Sequence, residues 1–367
     1  MKYFVSAGEA SGDLHASQLM SALKGVDRDA SFTFLGGDYM AASAGHGPVI
    51  HYRDMAFMGF SEVLRNLGRI SLNFKMARGA LLGQKHDALI LVDYPSFNLK
   101  LAREARRAGI PVYYYISPKV WAWKEYRVRD IKRLVRRVYS ILPFEVDWYR
   151  SRHDYAVEYV GNPSREEVDA RLSQLPRRNE FLTEAGIDPD GDYVVLVPGS
   201  RKGEIRNNLP VMIAGAMRSG LPMVVTAAPG IDDSFYEPYI KYGVKPVRDM
   251  TLGLMRYARV ALVTSGTATL ECGLAGTPQV VCYRANGVKL SYKIMEKLLK
   301  VKYVSLPNLI ADEEIVPELL VHKCTAESIY DHLSALLPDG GVRQSQLDGY
   351  RKMRNRLGDR PAAVTTA

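Results

Sequence analysis

The sequence predicts an α/β protein in which two parallel-sheet domains face each other across a cleft. Short apolar runs alternate with segments of helical length, which is the pattern of βαβ units. A polar stretch with prolines, Ser164–Asp192, interrupts the alternation and is interpreted as the crossing between domains. The 367 residues suffice for two domains that each bury a core. A ligand is therefore expected in the cleft.

The apolar runs are the expected strands. In the first half they are Tyr3–Val5, Phe32–Leu35, Ala88–Val92, Val112–Ile116, Val138–Leu142 and Tyr155–Val160. In the second half they are Tyr193–Val197, Met223–Ala227, Val260–Val263 and Gln279–Tyr283. The predicted domains are residues 1–165 and 166–343.

Composition and charge narrow the class of protein. A hydrophobic fraction of 47% with 24% charged residues is typical of a globular chain. The formal net charge of +9 indicates anionic partners: nucleic acid, phosphorylated small molecules or an acidic membrane surface. No run approaches the roughly 20 apolar residues of a spanning helix, and the first residues predict a strand, not a signal peptide. Three cysteines without metal-site spacing, Cys272, Cys282 and Cys324, fit a reducing cytoplasm.

A sharp turn in the second half carries a cation. The strand Tyr193–Val197 stops at Pro198-Gly199-Ser200, and Arg201 follows. Ligands of open α/β sheets lie outside the carboxyl ends of the strands, and a guanidinium suits phosphate oxygens. The alternative is a turn with a solvated arginine.

A second loop in the same half strengthens the phosphate interpretation. After the strand Val260–Val263, Ser265 can cap a helix, Gly266 allows close backbone approach and Thr267 begins a helix whose amides point at the crevice. This geometry suits a diphosphate, and Glu271 is placed to accept hydrogen bonds from ribose hydroxyls. The alternative is a capped helix packed on a sheet.

The first half offers carboxylates at strand ends. Asp93 ends the buried run Ala88–Val92 and is a candidate general base, because partial burial would raise its pKa. Glu9 lies in the loop SAGEASGD, which lacks the glycines of NAD- or ATP-binding loops. The alternative is that Asp93 caps a turn and that Ser11 or Asp13 caps a helix.

An amphipathic helix is expected over Glu62–Leu82, with basic side chains beside its apolar stripe. Together with the preceding Phe57, Met58 and Phe60, Phe74 is predicted to contact acyl chains at an anionic lipid surface. The alternative is an ordinary packed helix with a solvated basic face.

Nucleic acid and metal are not expected as ligands. The aromatic segment Tyr113–Lys124 precedes an arginine-rich helix, but its tyrosines belong to a buried strand and the arginines surround the helix. The D-x-D pairs at residues 27–29 and 188–190 do not follow strands, and the histidines lack metal-site spacing.

The ordered motifs resemble the lipid-A-disaccharide synthase family of GT-B glycosyltransferases, which have two Rossmann-like domains. The similar segments are SAGEASGD (6–13), MGFSEVL (58–64), VDYPSFN (92–98), SPKVWAWK (117–124), LPFE (142–145), YVGNP (159–163), LVPGSRKGEI (196–205), SGTATLE (265–271) and VSLPNLIA (304–311). Several motifs in the right order are specific where no single one would be.

The resemblance implies a reaction and a location. A diacylglucosamine unit passes from its UDP derivative to the 6-hydroxyl of diacylglucosamine 1-phosphate, with inversion, giving a β-1,6 disaccharide and UDP. No metal or other cofactor is implied, and the enzyme works at the cytoplasmic face of the inner membrane. Residues 344–367 would return to the first domain or be exchanged within a homodimer.

The resemblance also implies the site. Asp93 would be the catalytic carboxylate, accompanied by Glu9. The UDP-sugar site would be lined by Gly199, Ser200, Arg201, Glu204, Ser265, Gly266, Thr267, Glu271, Arg284 and Asn308. Many members have His at the position of Asn162 and Asp at that of Ser96, so the role of these two positions is open.

Two other classes of protein are compatible with parts of the sequence. A UDP-sugar epimerase or a peptidoglycan-type glucosaminyl transferase would share the second half but would not explain the motifs of the first. A non-catalytic nucleotide or nucleic-acid binder would account for the charge and the glycine turns.

Overall fold

Two separate groups of apolar strands form two parallel sheets. The computed structural model describes residues 1–55, 67–284 and 302–367, and it divides the chain into two compact units. The first unit comprises Met1–Pro163 with Asp359–Ala367, and the second comprises Ser164–Gly358. Phe57, Met58 and Phe60 lie outside the described residues.

The first unit contains a seven-stranded sheet in the order β3-β2-β1-β4-β5-β6-β7. Every neighbouring pair is parallel. The strands are β1 Lys2–Ala7, β2 Ser31–Gly36, β3 Ile50–His51, β4 Ala88–Val92, β5 Val112–Tyr115, β6 Arg137–Ser140 and β7 Glu158–Tyr159. The helices are α1 Ala10–Val26, α2 Asp38–Ala44, α3 Leu67–Leu82, α4 Pro95–Arg107, α5 Val128–Leu134 and α6 Pro143–His153.

Both faces of this sheet are buried, as parallel sheets require. Phe4 and Leu89 belong to a core formed with α3, α4, α5 and α6. Val5 and Ile90, one position further along the same strands, belong to the core formed with α1 and α2. Continuous apolar runs are therefore needed here, because alternate side chains of one strand enter different cores.

The second unit contains a six-stranded parallel sheet in the order β10-β9-β8-β11-β12-β13. The strands are β8 Val194–Val197, β9 Met223–Ala227, β10 Val244–Arg248, β11 Val260–Thr264, β12 Gln279–Tyr283 and β13 Glu318–Leu320. The helices are α7 Pro163–Ser173, α8 Arg178–Glu184, α9 Lys202–Ala216, α10 Glu237–Ile240, α11 Thr251–Tyr257, α12 Thr267–Ala275, α13 Leu306–Ala311, α14 Ala326–Leu336 and α15 Gly341–Leu357.

The predicted fold class, α/β with two parallel-sheet domains, is confirmed. Each predicted apolar run contains or overlaps a strand. The sequence did not reveal β3, β10 and β13, because β3 and β13 are very short and β10 contains Lys245 and Pro246, which break the apolar pattern.

The C-terminal part differs from the expectation for residues 344–367. Residues 344–357 lie in α15, which belongs to the second unit. Gln346 there accepts a hydrogen bond from the backbone N–H of Gln279 (2.6 Å) and donates one to its carbonyl (3.1 Å), so α15 is joined to the first residue of β12. Only Asp359–Ala367, with α16 (Ala362–Thr366), lies in the first unit. Exchange of this segment in a dimer stays a prediction.

No helix of the described residues is long and apolar enough to cross a membrane.

Candidate active site

Asp93 lies at the carboxyl end of β4 on a turn that is unusual for its residue types. Asp93 and Tyr94 have φ angles of 41° and 45°, the left-handed region that non-glycine residues rarely adopt. Tyr114 donates a hydrogen bond from its hydroxyl to the Asp93 carbonyl (2.6 Å), and Asn98 donates to the same carbonyl (2.8 Å). Such backbone strain persists where surrounding contacts hold it, and it is common at functional sites.

Gly8 is needed because a ring lies against it. A Cβ atom at Gly8 would meet the ring of Tyr94 at 2.4 Å. The Tyr94 hydroxyl donates to the Met55 carbonyl (2.8 Å), which fixes the ring in this place. The loop after β1 and the turn after β4 are therefore packed directly on each other, and Glu9 follows Gly8.

The environment of Asp93 suits a base. Burial raises its pKa to about 6, the Lys119 ammonium opposes that rise, and the Glu9 carboxylate adds to it. Glu9 is exposed at the N-cap of α1 and makes no capping hydrogen bond with its side chain. The structure thus brings Glu9 and Asp93 into electrostatic range of each other.

The alternative in which Asp13 caps its own helix, α1, is wrong. Its buried carboxylate accepts hydrogen bonds from the backbone N–H groups of Gly37 (2.6 Å), Tyr39 (3.1 Å) and Met40 (3.2 Å). These groups lie at the start of α2, so Asp13 caps a neighbouring helix. The partners are 24 to 27 residues away, beyond the reach of a local motif.

In the second unit, the turn after β8 is closed by Glu204. Its carboxylate accepts a hydrogen bond from the Ser200 N–H (3.2 Å) and pairs with the Arg201 guanidinium (3.2 Å). Gly199 has φ 121°, and a Cβ atom there would meet the Glu204 carboxylate at 2.6 Å. Arg201 is the N-cap of α9, and its side chain is 60% exposed. The predicted donor residue Glu204 therefore also shapes the loop that carries Arg201.

The loop after β11 presents an open helix start. Gly266, the N-cap of α12, has φ 146°, and as a glycine it has no side chain to cap the first amides of the helix. Gly266 and Thr267 are exposed and Ser265 is partly buried, so these residues are available to an anion. Glu271 lies further along α12, and burial, followed by the Glu167 carboxylate, raises its pKa against the opposing Arg171 charge.

The sequence did not reveal Asn208, whose side chain connects the loops of this site by hydrogen bonds. Its buried amide donates hydrogen bonds to the Pro198 carbonyl (3.1 Å) and to the Thr264 hydroxyl (3.0 Å), and it accepts one from the Arg284 N–H (2.8 Å). These three residues lie at the carboxyl ends of β8, β11 and β12. One side chain of α9 therefore joins three strand ends; the only local signal was a polar residue on the apolar face of a helix.

Asn308 makes structural hydrogen bonds with its side chain, and its contact with the donor stays a prediction. Its buried amide donates to Val316 and Glu318 (both 2.9 Å) and accepts from the N–H groups of Ile315 (2.8 Å) and Val316 (2.9 Å). Glu318 also accepts from the N–H of Ser305 (2.8 Å), at the start of α13. Because an amide has two donors and two lone pairs on its oxygen, these bonds use the whole hydrogen-bonding capacity of Asn308.

Phe74 does not occupy the outer surface predicted for it. Its ring is partly buried against the first core and makes an edge contact with Phe97, with centroids 5.7 Å apart. Leu72 and Met76 of the same helix are 56% and 46% exposed. The helix therefore has exposed apolar side chains, but Phe74 is not one of them.

The two positions that depart from the family pattern make structural hydrogen bonds. Ser96 accepts one from the Arg127 guanidinium (2.8 Å), and Asn162 donates one to the Ile141 carbonyl (2.8 Å). Over the described ranges, no group of three or more His, Cys, Asp or Glu is arranged to hold a metal ion.

The architecture is that of the GT-B class. It is similar to a UDP-GlcNAc 2-epimerase from Neisseria meningitidis bound to UDP-GlcNAc, with a TM-score of 0.66, 12% identity, and 99% of this chain and 97% of that chain covered. It is also similar to the glycotransferase of kitacinnamycin, with a TM-score of 0.58, 16% identity, and 99% and 97% coverage. At these identities the likeness concerns the fold, which transferases and epimerases share.

The sequence comparisons distinguish between a transferase and an epimerase. Residues 3–363 match the family model described as lipid-A-disaccharide synthetase. A lipid-A-disaccharide synthase of Myxococcus xanthus is 40% identical over 374 residues, covering 100% of this chain and 96% of the relative. One of Geobacter metallireducens is 36% identical, covering 97% and 93%. The chain therefore belongs to the lipid-A-disaccharide synthase family and is a glycosyltransferase of lipid A biosynthesis, which confirms the resemblance inferred from the motifs.

Proposed function

We propose that this enzyme condenses UDP-2,3-diacylglucosamine with 2,3-diacylglucosamine 1-phosphate, with inversion, to the β-1,6 disaccharide 1-phosphate and UDP. The observation that carries the proposal is the partly buried Asp93 carboxyl, whose pKa is raised to about 6 at a strand end. The names of the relatives support the same product class.

Asp93 is the general base of the proposed reaction. It removes the proton from the acceptor 6-hydroxyl while that oxygen forms a bond to the anomeric carbon of the donor. The bond from this carbon to the diphosphate oxygen breaks, and UDP leaves with the electron pair. A pKa of about 6 keeps Asp93 ionised at neutral pH and makes it more basic than an ordinary aspartate. Glu9 contributes through its charge, which raises the pKa of Asp93 further.

The second unit binds the leaving group. The Arg201 guanidinium and the amides at Ser265, Gly266 and Thr267 neutralise the charge that grows on the diphosphate, as preorganised donors commonly do. Before the donor arrives, Arg201 is paired with Glu204, so donor binding exchanges a carboxylate for a phosphate. The proposal includes no metal or other cofactor, because these groups supply positive charge themselves; activity unchanged after dialysis against EDTA is the expected result.

The test of the reaction uses purified protein with the two lipid substrates in detergent. We expect stoichiometric release of UDP and of a tetraacyl disaccharide phosphate whose new linkage is β-1,6 by NMR. Formation of an α-linkage would refute inversion. Conversion of UDP-GlcNAc to its 2-epimer, without transfer, would refute the synthase activity.

We further propose that the enzyme binds the anionic cytoplasmic face of the inner membrane. The net charge of +9 and the exposed Leu72 and Met76 on α3 support this, because such side chains can enter the acyl boundary of a lipid surface. Leu72→Ser with Met76→Ser should reduce sedimentation with phosphatidylglycerol vesicles. Val26→Ser with Met217→Ser is the control, since Val26 and Met217 are 68% and 50% exposed on other elements. An equal loss in both double variants would contradict the assignment to α3.

A further inference from the structure

Two cations lie over the ring of one exposed tryptophan in the segment between β5 and α5. The Lys124 ammonium is 4.1 Å from the ring centroid of Trp123, and the central guanidinium carbon of Arg127 is 5.9 Å from the same centroid. Trp123 itself is 49% exposed. Lys124 has a φ angle of 58°, in the left-handed region that non-glycine residues rarely adopt. The chain therefore accepts an unfavourable backbone conformation at the point where two like charges come together.

Arg127 is a buried cation whose hydrogen-bond partner is neutral. Its residue is 9% exposed, and its guanidinium donates a hydrogen bond to the Ser96 hydroxyl (2.8 Å). Within the part of the chain that the structure describes, no carboxylate forms an ion pair with Arg127 or Lys124. The carboxylate of Glu125, next in the chain to Lys124, lies against His153 instead (3.0 Å). Because buried charges are usually paired, these two cations suit an anionic ligand.

The two cations belong to the same end of the sheet as the candidate base. Ser96, the partner of Arg127, comes three residues after Asp93 and lies in the first turn of α4. That turn contains no acidic residue, and the positive end of the helix dipole adds to the attraction for an anion. A phosphomonoester carries about two negative charges at neutral pH, and a guanidinium fork matches the spacing of its oxygens. This is the chemistry of the phosphate on the proposed acceptor.

We propose that Arg127 and Lys124, grouped around Trp123, bind the phosphomonoester of the acceptor sugar and so select a phosphorylated acceptor. This inference rests on the proposed function, in which the acceptor hydroxyl meets Asp93. Ser96 orients the guanidinium, and because its hydroxyl is neutral it leaves the charge of Arg127 available to the phosphate.

The first test compares 2,3-diacylglucosamine 1-phosphate with the same lipid without its phosphate, as acceptors for the purified enzyme. Arg127→Met and Lys124→Met should each raise the KM of the phosphorylated acceptor by about 10- to 100-fold, since each loses a charged hydrogen bond. The KM of the UDP donor should not change, and the phosphate-free acceptor should react equally slowly with wild type and variants. Arg129→Met, which removes an exposed cation from α5, is the control. An unchanged acceptor KM, or an equal loss with both acceptors, would overturn the proposal.

A second variant tests the site while the buried Arg127 stays in place. Ser96→Asp puts a carboxylate beside the guanidinium, and this internal counter-ion should compete with the phosphate and raise the acceptor KM by about tenfold. Ser96→Asn has a side chain of the same size without the charge, and it should leave the acceptor KM close to that of the wild type. The same KM in both variants would contradict the proposal.

A binding measurement without turnover separates this inference from the proposed function. Glucosamine 1-phosphate should change the tryptophan emission of the wild type, because Trp123 lies beside the two cations, and glucosamine should not. Trp123→Phe should remove the signal, and Arg127→Met should weaken the binding. If the phosphate-dependent signal is present but no disaccharide forms, the proposed reaction fails and the anion site stands. If disaccharide forms equally well from the phosphate-free acceptor, the reaction stands and the anion site fails.

Vesicle binding distinguishes the acceptor phosphate from a lipid headgroup. Sedimentation of Arg127→Met with phosphatidylglycerol vesicles should equal that of the wild type. A loss of sedimentation together with an unchanged acceptor KM would assign the two cations to the membrane surface and overturn the proposal.

Discussion

The two sheets end in sites of opposite chemical character. After β4, the turn carries two non-glycine residues with positive φ, and burial makes Asp93 more basic. After β8 and β11, the turns contain Gly199 and Gly266, and the side chain of Arg201 is largely exposed. A base gains from partial burial because desolvation raises the pKa of a carboxyl. An anion site needs close backbone approach, which glycine permits. The carboxyl end of a strand in a parallel sheet can therefore suit a base or an anion site, depending on exposure and on the turn residues.

The largest effect is expected from removal of the acid in the first unit. Asp93→Asn should lower kcat by about 10²- to 10⁴-fold, the usual contribution of a general base. The affinity for UDP, measured by calorimetry, should not change. Asp87→Asn, at the amino end of the same strand, is the matched control, because its carboxylate accepts a hydrogen bond from the Lys2 N–H, at the end of the strand opposite to Asp93. Near-normal turnover in Asp93→Asn would exclude it as the base.

Asp93→Asn should lower activity, but it should not lower the stability of the fold. Because the pKa of Asp93 is raised to about 6 in the folded protein, from an ordinary value of 3.8, the folded state binds this proton more tightly than the unfolded one. Ionisation therefore destabilises the fold, a cost that is absent below about pH 4 and complete above about pH 6. Asp93→Asn should melt at no lower temperature than the wild type at pH 7.5, and a large drop in Tm would indicate a structural role.

Loss of the cation in the second unit should have the next largest effect. Arg201→Ala should lower kcat/KM by about 10²- to 10³-fold, because a preorganised donor to the leaving diphosphate is lost. Unlike Asp93→Asn, it should also weaken UDP binding. Arg206→Ala serves as the control: Arg206 lies on the same helix but its guanidinium is placed over the ring of Phe235, 5.3 Å from the centroid. Unchanged kinetics in Arg201→Ala would remove it from the phosphate site.

A smaller effect is expected from the residue that joins the strand ends. Asn208→Ala should weaken UDP binding by roughly tenfold, because the loops after β8 and β11 would be displaced but would keep their residues. It should also lower the free energy of unfolding by about 1–3 kcal/mol, since buried partners lose a hydrogen bond. Asn207→Ala, one position earlier, should change neither quantity. A stability loss with unaltered UDP affinity would limit Asn208 to a structural role.

The smallest effect distinguishes two roles of Glu204. Its carboxylate holds Arg201 when the donor is absent, so Glu204→Gln should strengthen UDP binding by up to about fivefold, the range of an exposed ion pair. The glutamine oxygen can still accept the hydrogen bond from Ser200. If Glu204→Gln instead weakens binding, then Glu204 contacts the donor directly, as the family resemblance implies.

The sequence was most informative about features that depend on residues close together in the chain. Apolar runs predicted the central strands, and glycine or proline after them predicted the turns that carry Arg201 and Gly266. It was least informative where hydrogen-bond partners are distant. Asn208 joins residues up to 76 positions away, and Gln346 pairs with a strand 67 positions away, so no spacing rule could have revealed either.

The sequence by itself determined the α/β class, the alternation that forms two sheets and the family, because these depend on apolar periodicity and on ordered motifs. Only the tertiary structure decided which polar residues in those motifs are available to a ligand. Asn308 and Asp13 accept hydrogen bonds from backbone groups, whereas burial raises the pKa of Asp93 against the opposing charge of Lys119. The physical reason is that desolvation and hydrogen-bond satisfaction depend on neighbours that only folding brings together.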